Sequence, residues 1–166
     1  MRPYIMLPLL NVPKERMTPD SEGKTHYNIY SRSRTELGRF LSHFAYHPMD
    51  TVDGNFNSLE GYWYWLKYRH DDLRSLYGND AKQFGQTLAK SRIVVLSPDD
   101  PKFKRDIIAA TSQKLLTMPS KLRFQLAHSR LPLIHAYEHQ GKYSFQNSMD
   151  FIIQHINRFR LEGYLK

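Results

Sequence analysis

Apolar and polar positions change period several times along this chain, and each change marks an element. His26-Tyr27-Asn28-Ile29-Tyr30-Ser31 alternates and predicts a short strand. Thr51-Val52 and Asn55-Phe56 flank Asp53-Gly54, a strong signal for a tight hairpin. Asn57 or Ser58 then stands where an N-cap belongs, ahead of an aromatic helix that runs to about His70. Asp80 to Lys90 reads as a second helix, and Ile93-Val94-Val95-Leu96 as a strand or a buried loop. Asp99 or Asp100 as N-cap, with Pro101 just inside, starts a third helix that ends near Thr117, before Pro119. Ser120 to His128 predicts a fourth. Leu131 to Tyr137 predicts a strand and Gln140-Gly141-Lys142 a turn. Ser148 to Leu161 forms a last helix with Phe151, Ile152, Ile156 and Phe159 on one stripe. The expected fold is α+β, mostly α, with a few short strands. Residues 11–25 are polar and carry Pro13, Pro19 and Gly23, so they read as a loop or mobile arm. The expected organisation is an N-terminal arm over residues 1–26 and a single domain over 27–166.

Two side chains break the pattern of a plain core. On the aromatic helix Glu60, Trp63, Tyr64 and Lys67 fall at i, i+3, i+4 and i+7 and share a face. A carboxylate beside flat aromatic faces suits a pocket that grips a nucleobase and strains the bond to its sugar. The helix dipole also favours a glutamate in a first turn without any chemistry, and the aromatics equally suit a core. On the third helix Phe103, Ile107, Ala110 and Lys114 fall at i, i+4, i+7 and i+11, which sets a lysine on the apolar stripe. An inward lysine needs an anionic partner or an aqueous pocket, unless it snorkels at the helix end. His43/His47 and His135/His139 are each four apart, but no His-Glu-x-x-His pattern accompanies them and no metal site is expected. Gly-rich phosphate loops, Gly-x-Ser-x-Gly and the DNA-reading motifs are absent from the sequence.

Composition narrows the classes further. With no cysteine among 166 residues, disulfides, thiolate catalysis and cysteine-ligated zinc are excluded, which fits a reducing compartment. The apolar run from Met1 to Leu10 is short, broken by Pro8 and followed by Lys14, Glu15 and Arg16. It therefore predicts neither a signal peptide nor a membrane span, and a cytoplasmic protein with no membrane partner is expected. Lys and Arg total 24 against 16 Asp and Glu, for a formal charge of +8. That excess favours phosphate-bearing partners. The aromatic share of 13% leaves room for base stacking as well as core packing.

Ile29-Tyr30-Ser31, Gly38 to Phe44, Val52-Asp53-Gly54 and Ser58-Leu59-Glu60-Gly61-Tyr62 through Lys67 follow one another in the order and spacing of a known family. In these segments the chain resembles the NADAR superfamily, which includes the YbiA-like N-glycosidases. A looser likeness continues through Ala110 to Lys114 and Leu131 to Lys142. Two departures mark this chain: His43 replaces the asparagine of the family's Ser-Asn-Phe, and His135 to Lys142 stands where YbiA-like members carry a Trp-Gly loop. The resemblance implies a compact α-rich fold and hydrolysis of a base–ribose N-glycosidic bond. The substrates it implies are an ADP-ribosylated guanine in nucleic acid or a nucleotide, or a related ribosylamino nucleotide. Cleavage of such a bond builds positive charge on the sugar, which a carboxylate stabilises directly or by activating water. Glu60 takes that role, with Lys114 as its catalytic companion. Substrate contacts are expected from Tyr30, Ser31, Ser42, His43, Phe44, Trp63, Tyr64, Lys67, His135 and Lys142. Asp53, Glu138 and Asp150 are each candidates for a second carboxylate. No cofactor is called for. Two other readings stay open: a non-catalytic module that binds ADP-ribose or NAD in the same pocket, and a basic DNA- or RNA-binding protein whose aromatics are only core.

Overall fold

Among the described residues, and apart from three short 3-10 helices, the elements are β1 (Tyr27–Asn28), α1 (Glu36–Leu41), β2 (Met49–Thr51), β3 (Gly54–Phe56), α2 (Leu59–Tyr68), α3 (Gly78–Ala89), α4 (Pro101–Leu116), α5 (Ser120–His128), β4 (Leu133–Ile134), β5 (Ala136–His139), β6 (Lys142–Phe145) and α6 (Asp150–Leu161). The structure is a computed structural model and describes residues 7–165. The fold is α+β and mostly helical. Two helices begin where a side chain caps them: Ser58 Oγ accepts the Gly61 N–H at the head of α2, and Asp100 Oδ1 accepts the Lys102 N–H at the head of α4, with Pro101 at the first helical position. Among the described residues no helix is long and apolar enough to cross a membrane.

The chain divides into two compact units, one formed by residues up to Leu41 together with Met118 onwards, the other by Ser42–Thr117. In the first unit β1 runs parallel to β4, pairing Tyr27 with Leu133 and Asn28 with Ile134. The ladder is only two residues long because the side-chain amide of Asn28 takes over: it donates to Ala136 O and accepts from Ala136 N, both at 2.9 Å. The predicted Leu131–Tyr137 strand accordingly splits, and β5 turns back into β6 through Gln140 and Gly141, both at positive φ. The described part of the N-terminal arm is docked on this unit. Leu10 N–H donates to Arg130 O at 2.8 Å, Met17 packs with Ile134 and Ala136, and the Glu22 carboxylate accepts from Arg34 N–H, Thr35 Oγ1 and Ser33 Oγ. Residues 1–6 of that arm lie outside the described residues.

Helix α1 was not apparent as a helix in the sequence pattern. It rests on Gly38: a Cβ there would lie 2.1 Å from Ser33 Oγ and 2.2 Å from Asn28 O. The second contact is backbone and cannot swing away. Gly38→Ala is therefore expected to lower stability by about 2 kcal/mol or more, a small-to-large overpacking effect, read from urea unfolding. An unchanged midpoint would show that α1 is free to shift.

In the second unit β2 and β3 form the predicted hairpin, Thr51 opposite Gly54. Its core gathers on α2 and α4, where Leu59, Tyr62, Leu66, Phe103, Ile107 and Ala110 are buried. Phe56 closes on the Tyr62 ring at 4.7 Å. The Ile93–Leu96 run differs from expectation. It is neither strand nor buried: no strand pairs with it, and its backbone instead meets the end of α2, Val95 N–H donating to Lys67 O at 2.7 Å.

Candidate active site

The site residues of the Ser42–Thr117 unit are set by how α2 begins. Ser58, fully buried, caps the helix through Oγ and donates the same hydroxyl to Leu76 O at 2.9 Å. Ser58→Ala removes both bonds from a dry position and should cost about 2 kcal/mol. A thermal-melt comparison with wild type checks this, and no loss would mean that the cap is dispensable. Two residues on, the Glu60 N–H donates to His43 O at 3.0 Å, which ties the first turn of α2 to the Ser42–Phe44 segment.

Along α2 the predicted face is real. Glu60, Trp63, Tyr64 and Lys67 are all half-buried, whereas Leu59, Tyr62, Trp65, Leu66 and Tyr68 between them are buried. Trp63 sits between the His43 ring, at 5.7 Å between centroids, and the Phe103 ring, edge-on at 4.7 Å. Tyr64 is held by α3, whose Gly85 lies so near that a Cβ would come within 2.1 Å of the tyrosine ring. The Lys67 ammonium lies over the Tyr64 and Tyr68 rings at 5.4 and 5.2 Å. Lys82 Nζ from α3 is 5.9 Å from the Phe44 ring.

Glu60 is the electrostatic anomaly. Its carboxylate accepts no hydrogen bond among the described residues, and burial pushes its pKa from 4.5 up to about 7 against the opposing pull of Lys82 and Lys67. Tyr64 rises to about 12, through burial first and the neighbouring Glu60 second. Lys114 is the second anomaly. It is 1% exposed, which excludes the snorkelling alternative, and its ammonium donates to Ser42 O at 2.8 Å. Desolvation lowers its pKa from 10.5 to about 7. Glu60 and Lys114 are thus bonded to adjacent residues, His43 and Ser42. Both titrate near neutrality, where acid–base chemistry runs best.

Eight of the twelve predicted site residues, Ser42, His43, Phe44, Glu60, Trp63, Tyr64, Lys67 and Lys114, belong to this unit. Tyr30, Ser31, His135 and Lys142 belong to the other. There Tyr30 packs on Tyr137 at 5.7 Å, and His135 Nδ1 bonds Ile29 O at 2.7 Å, with burial lowering its pKa. Ser31 lies half-buried in the turn after β1, and Lys142 is exposed on β6.

The candidate second carboxylates are engaged or exposed. Asp53 accepts from the Tyr62 hydroxyl at 2.8 Å, Glu138 pairs with Arg34 at 2.7 Å, and Asp150 is exposed at the head of α6. Of these four carboxylates, Glu60 is the half-buried one that accepts no hydrogen bond among the described residues. Of the His pairs, His47 bonds Thr117 Oγ1 at 2.8 Å while His43 faces Trp63. Among the described residues no group of three His, Asp or Glu side chains is arranged around a metal position. A depression of about 320 Å³ in the same unit is lined by Pro48, Met49, Asp50, Asn55, Asn57, Gln113 and Thr117 and contains none of the predicted residues.

Two members of the site were not legible in the sequence. Lys82 lies on a different helix from Glu60, 22 positions away, and Phe103 reads as ordinary core from its stripe. Only the packing of α3 and α4 against α2 brings them in. No protein-family model, curated protein or solved structure matches this chain.

Proposed function

We propose that this chain is a NADAR-type N-glycosidase that hydrolyses the bond between ribose C1′ and a base, with ADP-ribose on guanine in nucleic acid as the favoured substrate. Glu60 carries the reading. A half-buried carboxylate without a hydrogen-bond donor, held near pKa 7 on a face of aromatics and ammonium groups, is costly to the fold and serves no structural contact. Its chemistry fits the reaction in both directions of proton flow. As carboxylate, Glu60 takes the proton from a water whose oxygen attacks C1′. The C1′–N bond breaks with its electron pair on the base nitrogen, and the carboxylic acid then returns the proton there. A pKa near the working pH makes each transfer easy.

The remaining groups bind. Trp63 and Tyr64 offer ring faces to the base, and Lys67 and Lys82 place two cations beside Glu60 for a diphosphate. Lys114 works from behind, holding the Ser42 carbonyl and with it the segment that anchors Glu60. The order and spacing of the NADAR-like segments add to this support, as does the +8 charge.

The test is incubation of the pure protein with guanine-ADP-ribosylated DNA, with free ADP-ribose followed by chromatography and Glu60→Gln run alongside. Release by wild type and not by the variant supports the proposal. Equal release by both removes Glu60 from the mechanism. Saturable ADP-ribose binding without any product would make the chain a binding module instead.

A further inference from the structure

The loop after α3 leaves three consecutive branched aliphatic side chains in water: Ile93 is 90% exposed, Val94 44% and Val95 62%. Adjacent exposed aliphatic side chains are the raw material of a contact site. The loop is held in place. Ser91 and Arg92 N–H groups both donate to Leu88 O at the end of α3, at 3.1 and 2.8 Å. Val95 N–H donates to Lys67 O at 2.7 Å, and Arg92 Nη1 to Tyr68 O at 3.4 Å. Ile93 is therefore presented by a preformed loop rather than left loose.

Its anchors lie on the last turn of the helix whose first turn carries Glu60. Lys67 stands seven positions after Glu60, about 10 Å along a helix axis, which spans roughly three steps of a nucleic-acid strand at about 3.4 Å each. The charges just before the apolar tip are basic, Lys90 and Arg92, and the nearest ones after it, Asp99 and Asp100, are acidic. Lys90 and Arg92, both exposed, immediately precede the tip. Alternating apolar slots and phosphates are what a nucleic-acid strand offers such a surface, and aliphatic wedges are a recurring means of opening a base step. Three side chains are too small an apolar face for stable seating on a bilayer, where binding scales with buried area.

We infer that the Lys90–Leu96 loop is a nucleic-acid wedge: Ile93 enters between neighbouring bases, Lys90 and Arg92 meet the flanking phosphates, and the opened base is delivered toward the Glu60 face. The inference rests on the proposed function for its purpose but not for its measurement. An enzyme acting on a base in a duplex must first take that base out of the stack, and the loop supplies the group that fills the gap.

The experiment is binding of unmodified duplex DNA carrying 2-aminopurine, with the full chain as wild type, Ile93→Ser and Lys90→Ala/Arg92→Ala. Wild type should bind and raise the 2-aminopurine fluorescence. Ile93→Ser should bind about tenfold more weakly with no rise. The double variant should reduce the slope of log affinity against log salt by about two. Ile93 is surface-exposed, so circular dichroism should show its variant folded. DNA binding or fluorescence unaffected by Ile93→Ser overturns the wedge, as does failure of wild type to bind. Ile93-dependent binding to phosphatidylserine vesicles with DNA binding unaffected overturns it in favour of a lipid surface. A fluorescence rise without ADP-ribose release would sink the glycosidase and leave the wedge standing; release without the rise would do the reverse.

Discussion

Glu60→Gln is expected to lose turnover by a factor of about 10² to 10⁴ and, at pH 8, to be more stable than wild type. The second effect follows from where its proton sits. In the fold the carboxyl titrates near 7, well above its ordinary 4.5. Between those values the folded chain keeps a proton that the unfolded chain has released. Stability therefore falls as pH climbs from 4.5, and above 7 the fold carries the whole penalty. At about 1.4 kcal/mol per pH unit the penalty is about 3 kcal/mol, reduced by the partial exposure of the group to about 1–3 kcal/mol. A glutamine has nothing to titrate, so the variant should match wild type near pH 4 and exceed it at pH 8 in urea midpoint. The pairing of outcomes is the informative part. A carboxylate that only capped its helix would, on removal, cost stability and leave turnover alone. Lower stability of Glu60→Gln at pH 8 would show that Lys67 and Lys82 outweigh desolvation, and the poised-carboxylate argument would fail.

What the sequence made legible is what short-range physics decides. Caps at Ser58 and Asp100, proline at 101, the Asp53-Gly54 hairpin and the Phe103–Lys114 stripe all depend on a few neighbouring residues, and all appear as expected. The Glu60 face was readable for the same reason, since a single helix places its members. The misreadings share a different cause. The alternation of His26–Ser31 suggested a longer strand, but its length is set by a partner more than a hundred residues away and by the Asn28 amide that replaces the ladder. The apolar run Ile93–Leu96 reads as a strand or a buried loop because apolar runs usually are; its exposure depends on what packs near it, which no local pattern encodes. Helix α1 is six residues long, too short for periodicity to announce, and is fixed by the close approach of Gly38 to Asn28 O. Lys82 entered the site through packing between helices. The electrostatic character of Glu60 and Lys114 was likewise beyond spacing, because a pKa depends on how much water the fold removes.

Lys114→Met should show the opposite pH signature. In the fold the amine titrates near 7 instead of 10.5, because burial disfavours the ammonium. Between those values the unfolded chain holds a proton that the folded chain has given up, so stability rises as pH increases from 7 toward 10.5. Below 7 the fold carries the buried ammonium at full penalty, about 5 kcal/mol at 1.4 kcal/mol per pH unit. Methionine fills a similar volume without charge. It loses the bond to Ser42 O, about 1–1.5 kcal/mol. At pH 6 the variant should accordingly be more stable than wild type by about 3 kcal/mol. At pH 10 the folded amine is neutral and keeps its hydrogen bond, but the unfolded lysine is still mostly protonated, so a penalty of just under about 1 kcal/mol remains and the two proteins should be about equally stable. Urea unfolding of both proteins at pH 6 and pH 10 decides the matter. Wild-type stability should rise relative to the variant across that interval until the gap of about 3 kcal/mol has closed. A variant less stable at both pH values would mean that the oxygens around Nζ, Ser42 O among them, stabilise the ammonium as well as water does. Lys114 would then be a charged strut at neutral pH, and the near-neutral pairing with Glu60 would rest on the carboxylate alone.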